Sequence, residues 1–330
     1  MMATAPLSAE QMATFERDGA ILMDTPLTPA EMDGAEAAWH RINSKETTTS
    51  TDTDFLNMLT HPFFEAVAKQ VLRAGGVQVL ETNPHDRPPS TDLDAAESRE
   101  ARDYRTWNGG HVDVQITRSS WDATPRREML AIWYWCNDVP IERGPMRVLL
   151  GSHLPLADHW QRKIRDPAKL AQLPRVHGMQ PIREGVPENP VGSGGTFGCL
   201  PQLSDVPWRD QAPWKVVAKR GQALVFSQAL LHQATANEDT ESRKAHIMSW
   251  TADTVPGFLA TGRIDNMRRY HATIRQALES NYPERAHIIN KEFMHAVSEY
   301  GNAPELGGEY WPEMFLPLPA VAAESAAAKL

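Results

Sequence analysis

The chain has 330 residues, 41% hydrophobic and 23% charged, with a formal net charge of −9. That is ordinary for one large globular domain, long enough to bury a real core, and the acidic balance argues against nucleic acid or an anionic membrane as partner. Two cysteines, Cys136 and Cys199, far apart in sequence, exclude a disulfide scaffold and a zinc finger and point to a reducing cytoplasm. The opening MMATAPLSAEQMATFERDGA lacks a basic stretch followed by an apolar core, so no signal peptide is expected. No apolar run approaches the ~20 residues needed to span a bilayer.

In chain order, Ser8 reads as a helix N-cap, with Gln11 completing a capping box. Gly19 stops that helix, and Ala20-Ile21-Leu22-Met23 reads as a strand. Thr28-Pro29 restarts a helix, since proline suits a first turn. Residues 44–54 are polar and aperiodic, hence a loop, and a helix runs from Pro62 to Arg73. Residues 77–82 (VQVLET) alternate like a half-buried strand, and the proline- and charge-rich 84–106 reads as an excursion. Six strands follow: HVDVQIT from His111, MLAIWYW, MRVLL, KVVA, QALVFS and HIMSWT. Residues 157–212 read as mostly irregular, 266–300 as helix, and the last ten as a frayed tail.

Strands in the middle, helices at both ends and no βαβ rhythm predict a mainly β fold, a double-stranded β-helix (jelly-roll, cupin-like) core with helical flanks. The expected organisation is a helical flank at 1–75, a core at 76–255 with an insertion at 157–212, a helical segment at 256–312 and a tail at 313–330. There is no internal repeat.

His111 and Asp113 are two apart in a predicted strand, so both side chains point to one side. Alone, such a pair is unspecific. More than a hundred residues on, the apolar strand Gly221–Ser227 delivers His232 at its far end, and Arg243 follows eleven residues later. Two imidazoles and a carboxylate on one face of a metal leave positions open for a bidentate co-substrate and dioxygen, and the donors suit iron(II). An arginine suits the far end of a dicarboxylate that chelates the metal by its near end.

At these residues the chain resembles the phytanoyl-CoA dioxygenase family of iron(II)/2-oxoglutarate oxygenases. The resemblance rests on FERDGAIL, on HVDVQ…IWYWCNDVPIERGPMRVLLGSH and on GQALVFSQALLHQATANEDTESR, in order and with the right spacing. It implies that His111, Asp113 and His232 bind Fe(II), that Arg243 holds the distal carboxylate of 2-oxoglutarate, and that Trp133 lines the co-substrate pocket. A polar residue on the preceding strand usually touches 2-oxoglutarate in this family. Gln78, Glu81 and Asn83 are the candidates, and the sequence does not choose among them. Arg102, Arg105 and Trp107 precede the metal segment at the expected cavity mouth; with Gln115 they are the candidate substrate contacts. The chain departs from the family at Leu150, where proline usually stands, and in the insertion 157–212, which either covers the substrate or packs as a plain loop.

Other histidines read differently. His153, in Gly-Ser-His, is structural, His246 is packing, and His85, His177 and His295 lack ligand partners at useful spacing. Gly192-Ser193-Gly194-Gly195 is not followed by the Lys-Ser/Thr of a phosphate loop. The expected reaction uses Fe(II), 2-oxoglutarate and O2 on a small molecule, free or carrier- or CoA-bound, with hydroxylation, desaturation, cyclisation and epoxidation all open. The rival readings are a zinc or manganese cupin hydrolase or isomerase, for which Arg243 would be superfluous, and an inactive jelly-roll binding protein. Oligomeric state is not legible.

Overall fold

The computed structural model describes residues 5–91, 112–113, 116, 118–164, 212–254 and 257–289, with strand pieces at 294–297, 302–303 and 308–309. Helix α1 (Ala9–Asp18) opens with the expected capping box, Gln11 N–H donating to Ser8 Oγ at 3.1 Å. It ends at Gly19, whose φ of 74° is left-handed and whose N–H donates to Phe15 O. Glycine is required there for a second reason. A Cβ would lie 2.5 Å from His153 Nδ1 and 2.9 Å from Leu230 Cδ1. Strand β1 (Ala20–Asp24) follows, then α2 (Pro29–Asn43), α3 (Thr53–Leu59) and α4 (Pro62–Leu72). The expected loop 44–54 is therefore cut short, because Asp52 accepts from Phe55 N–H and caps α3.

Strand β2 spans Val77–Arg87, beyond the expected end at Thr82 and into the expected excursion. Its polar residues extend because β8 (Arg243–Ala252) offers antiparallel partners as far as Arg87↔Arg243. With β3 (Leu130–Trp135) and β6 (Gln222–Ser227), these strands form a five-stranded antiparallel sheet in the order β1-β6-β3-β8-β2. A smaller sheet, β5-β4-β7, uses β4 (Met146–Val148), β5 (Trp214–Lys215) and β7 (His232–Ala234). The expected strand KVVA is thus displaced toward its N-terminus. Val217 N–H closes back on Lys215 O at 3.0 Å, and the turn leaves Val217 exposed.

Alternation in β3 decides the architecture. Leu130, Ile132 and Tyr134 join the core shared with α1–α4, whereas Ala131, Trp133 and Trp135 pack with Leu224, Phe226, Met146 and Val148 between the two sheets. Burial on both faces makes LAIWYW a near-continuous apolar run instead of a half-polar strand. Two antiparallel sheets face to face under a helical layer are the jelly-roll core that the strand pattern predicts.

Three further expectations need correction. The expected strand HVDVQIT is not a strand where it is described, since Asp113 sits in a bend. Its backbone N–H is bonded to Gln228 O, at 2.8 Å, and not to a strand ladder. The segment expected to be irregular from 157 begins as helix: α6 is His153–Ile164, after α5 (Arg118–Asp122). The helix expected over 266–300 is α7 (Thr261–Asn281), stopped before Pro283. A 3-10 turn (Pro283–Ile288) follows, and Met294–Val297 pairs parallel with Gly257–Ala260 as strand. The last-ten tail and 165–211 lie outside the described residues. Among the described residues no helix is long and apolar enough to cross a membrane.

Candidate active site between the sheets

His232 does not end the apolar strand, as expected, but opens the next one. β6 belongs to the large sheet and β7 to the small one, and residues 228–231 carry the chain between them. That crossing is tied from several sides. Ser227 N–H donates to Gly19 O at 2.9 Å, Gln228 N–H to Met129 O at 3.0 Å, and Leu149 N–H to Leu231 O at 2.9 Å. Leu231 N–H donates to Ser152 Oγ at 2.9 Å. In Gly-Ser-His, then, the serine braces the crossing. His153 is fully buried, 4.3 Å from Trp121 between ring centroids, and burial pushes its pKa down to about 3, the structural role expected of it.

His232 Nδ1 lies 2.8 Å from Leu230 O. A carbonyl only accepts, so Nδ1 donates, and Nε2 is the nitrogen that carries the lone pair in the neutral ring. Nε2 is 3.6 Å from Asp113 Oδ2, with the histidine side chain 5% and the aspartate 20% exposed. Two such donors separated by less than twice an ordinary metal–ligand bond of ~2.1 Å can contact one ion. Imidazole nitrogen and carboxylate oxygen suit iron(II). His111, the third expected donor, lies outside the described residues, as do Arg102, Arg105, Trp107 and Gln115. Among the described residues no group of three metal-binding side chains is present.

Arg243 opens β8 on the face turned toward the small sheet and is completely buried. Its Nη1 donates to the carbonyl of Gly144, in the Glu-Arg-Gly-Pro turn. Gly144 adopts φ 59°, and a Cβ there would come within 2.9 Å of Ala236 O, so the turn needs glycine to bring its carbonyl in. Trp133 and Trp135 flank the guanidinium, with ring centroids 5.6 and 5.5 Å from its carbon. Nε and Nη2, the two-pronged edge, are buried with no hydrogen-bond partner. Burial and, next, the repulsion of Arg87 push the pKa down to about 9, against the attraction of Asp86. A buried planar cation with its paired edge unsatisfied fits a carboxylate.

Register places the remaining candidates. Arg87, His85, Asn83 and Glu81 pair with Arg243, Ala245, Ile247 and Ser249, and after a bulge Gln78 pairs with Thr251. Directly paired residues project to one face, so all three 2-oxoglutarate candidates share the face of Arg243. Gln78 is buried and Asn83 exposed. His246 projects to the opposite face. It donates from Nε2 to Ala35 O at 2.7 Å, and burial pushes its pKa down to about 4, as packing requires.

His85 is the site residue that sequence reasoning passed over. Its ring lies 4.9 Å from that of Trp133, and its buried Nδ1 has no hydrogen-bond partner. Burial, then the charges of Arg243 and Arg87, hold its pKa down to about 4, so it is neutral beside Arg243. Alternation read onward from VQVLET does not find it, because the bulge after Val79 moves Glu81, Asn83 and His85 from the face of Val77 and Val79 to that of Arg243.

Residues 102–245 match the family model Phytanoyl-CoA dioxygenase (PhyH). Among solved structures, SnoK, a non-heme α-ketoglutarate-dependent carbocyclase from nogalamycin biosynthesis, is 18% identical, with 76% of this chain and 88% of that one covered at a TM-score of 0.50. EctD from S. alaskensis with bound Fe is 16% identical, with 76% and 79% covered and a TM-score of 0.46. The likeness to SnoK shows the fold. No curated protein matches.

Proposed function

We propose that this PhyH-like oxidoreductase, which depends on iron(II), 2-oxoglutarate and dioxygen, hydroxylates an unactivated C–H bond of a small molecule. The observation that carries the reading is Arg243: a fully buried guanidinium, held by Gly144 and two tryptophans, whose two-pronged edge has no partner. A zinc or manganese cupin hydrolase has no use for such a group, and an inactive scaffold has no reason to keep a charge buried at this cost.

In this reading His111, Asp113 and His232 hold the metal. Arg243 takes the distal carboxylate of 2-oxoglutarate through Nε and Nη2, and His85 and Trp133 line the same pocket with Gln78 or Asn83. When bound, iron(II) with 2-oxoglutarate and dioxygen supplies the oxidant for the C–H bond, releasing succinate and carbon dioxide. The protein's part is to orient and to exclude water. The Nδ1–H bond to Leu230 O fixes the ring of His232 so that Nε2 faces Asp113. Trp133 and Trp135 close the surroundings of Arg243, which strengthens its hold on a carboxylate. The core at 76–255 supplies these residues, and the flanks support its outer face.

The test is anaerobic titration of the chain with iron(II) and then 2-oxoglutarate, followed by air and measurement of succinate. Saturable 2-oxoglutarate binding that needs the metal, with succinate formed, is expected. Metal binding with no effect of 2-oxoglutarate would return the chain to the hydrolytic or isomerising cupins.

A further inference from the structure

Gln228 is 2% exposed and sits at the crossing from β6 to β7. Its backbone carbonyl accepts the N–H of Asp113 at 2.8 Å. Its side chain continues the alternation of Leu224 and Phe226 onto the inner face, where Nε2 donates to Ser249 Oγ at 2.7 Å. Oε1, at the other end of the amide, is buried and accepts no hydrogen bond. A buried acceptor without a donor is costly, and folded proteins keep few of them without a use.

Position tells which ligand this oxygen can meet. Ser249 lies six residues along β8 from Arg243, about 20 Å at ~3.3 Å per residue. A five-carbon dicarboxylate anchored on Arg243 is far shorter than that. Ser249 is in register with Ala131, which is in register with Phe226, and the Phe226 ring is 5.1 Å from that of His232. The Gln228–Ser249 pair therefore lies beside the proposed metal ligands and far from the Arg243 end of the co-substrate, whose carboxylate and keto oxygens at the metal are themselves acceptors and offer Oε1 no hydrogen. Glu81, the partner of Ser249 on the neighbouring strand β2, adds a carboxylate to the same row.

Resting on the oxygenase reading above, we propose that Gln228 is the residue that selects the substrate. It accepts a hydrogen bond from a hydroxyl or ammonium group near the carbon that is oxidised, with Ser249 holding the amide and Glu81 facing the same group. The substrate class is then a polyol or amine, not a plain acyl chain.

The experiment supplies the iron-loaded full-length chain with 2-oxoglutarate and matched pairs of small molecules. Each pair is a polyol or amine and its O-methyl or N-acetyl counterpart, read by succinate release and product mass. Uncapped members should drive turnover, and capping should lower kcat/KM by at least about tenfold, the effect of leaving a buried acceptor without its donor. Gln228→Leu should close that gap and Gln228→Glu should keep it. A second measurement needs no substrate. Removing an unsatisfied acceptor should leave Gln228→Leu melting no lower than the wild type. Capped members accepted as well as their parents, a gap that survives in Gln228→Leu, or a melting temperature several degrees lower in both Gln228→Leu and Gln228→Met would overturn the proposal. Absence of any 2-oxoglutarate consumption by the wild type, with or without panel members, would instead refute the oxygenase reading and take this proposal with it.

Discussion

Replacing Arg243 by Gln tests the proposed co-substrate clamp with a magnitude the structure supplies. Glutamine keeps one donor but loses the charge and the two-pronged edge. Each charge-assisted hydrogen bond is worth roughly 1.5–3 kcal/mol, so losing the pair should cost about 3 kcal/mol of 2-oxoglutarate binding. At 1.4 kcal/mol per factor of ten, the dissociation constant should rise about a hundredfold. Stability should move the other way. A guanidinium held at a pKa of about 9, against an ordinary 12.5, implies a cost on the order of 5 kcal/mol for keeping that charge buried. Part of it is offset by the bond to Gly144. The ligand-free variant should therefore be at least as resistant to denaturant as the wild type. Anaerobic titration of the iron-loaded protein measures the first quantity and urea unfolding the second. A dissociation constant within threefold of the wild type in Arg243→Gln would place the clamp elsewhere.

Three other outcomes follow from the structure. Replacing His232 or His111 by Ala removes a proposed metal donor, so iron retained on desalting and succinate formation should both collapse; stoichiometric iron held by the double variant would remove these residues from the site. Asp113→Gly should lose hydroxylation without becoming a halogenase, and the wild type should insert oxygen even in chloride buffer, because in the proposed site the Asp113 carboxylate takes the position a halide would need; mass spectrometry showing a chlorinated wild-type product would be decisive against it. Finally, His85, His153 and His246 are held to pKa values of about 4, 3 and 4 by burial. Below the unfolded value near 6.5 the unfolded chain takes up protons that the folded one refuses, so stability should be lost as pH falls from 6.5 toward 4. Three such groups approach a slope of about 4 kcal/mol per pH unit, and unfolding free energies equal at pH 7 and pH 5 would contradict it.

The sequence made the inner face of the large sheet legible wherever strand alternation and a glycine turn act locally. Ser8 and Gln11 cap α1, Gly19 ends it, and Trp133 and Arg243 fall on one face because each lies in a strand whose period is unbroken. What alternation could not report was pairing. β2 runs on through Pro84 and His85 because β8 is there to receive it, and nothing in the charge-rich run 84–87 announces that partner. The same limit hid the break between Ser227 and His232. An apolar sequence that stays buried while passing from one sheet to another looks, read linearly, like one strand.

That break is also where the site gains its rigidity. In one continuous strand, alternation would set Phe226, Gln228 and His232 on a single face of one sheet. Divided between sheets, Gln228 stays on the large sheet beside Ser249, while His232 sits on the small one opposite Val148. The chain can then offer a proposed metal donor from one wall and a polar substrate contact from the other within five residues. The cost is a crossing whose backbone groups have no ladder to pair with. Those groups are satisfied instead by Gly19, by Met129 and by Leu149 and Ser152, from three separate segments. The segments FERDGA and LLGSH, which carry part of the family resemblance, are therefore the residues that hold His232 in place without touching it. Gly19 and Ser152 would act on the proposed metal site through the turn that bears its histidine.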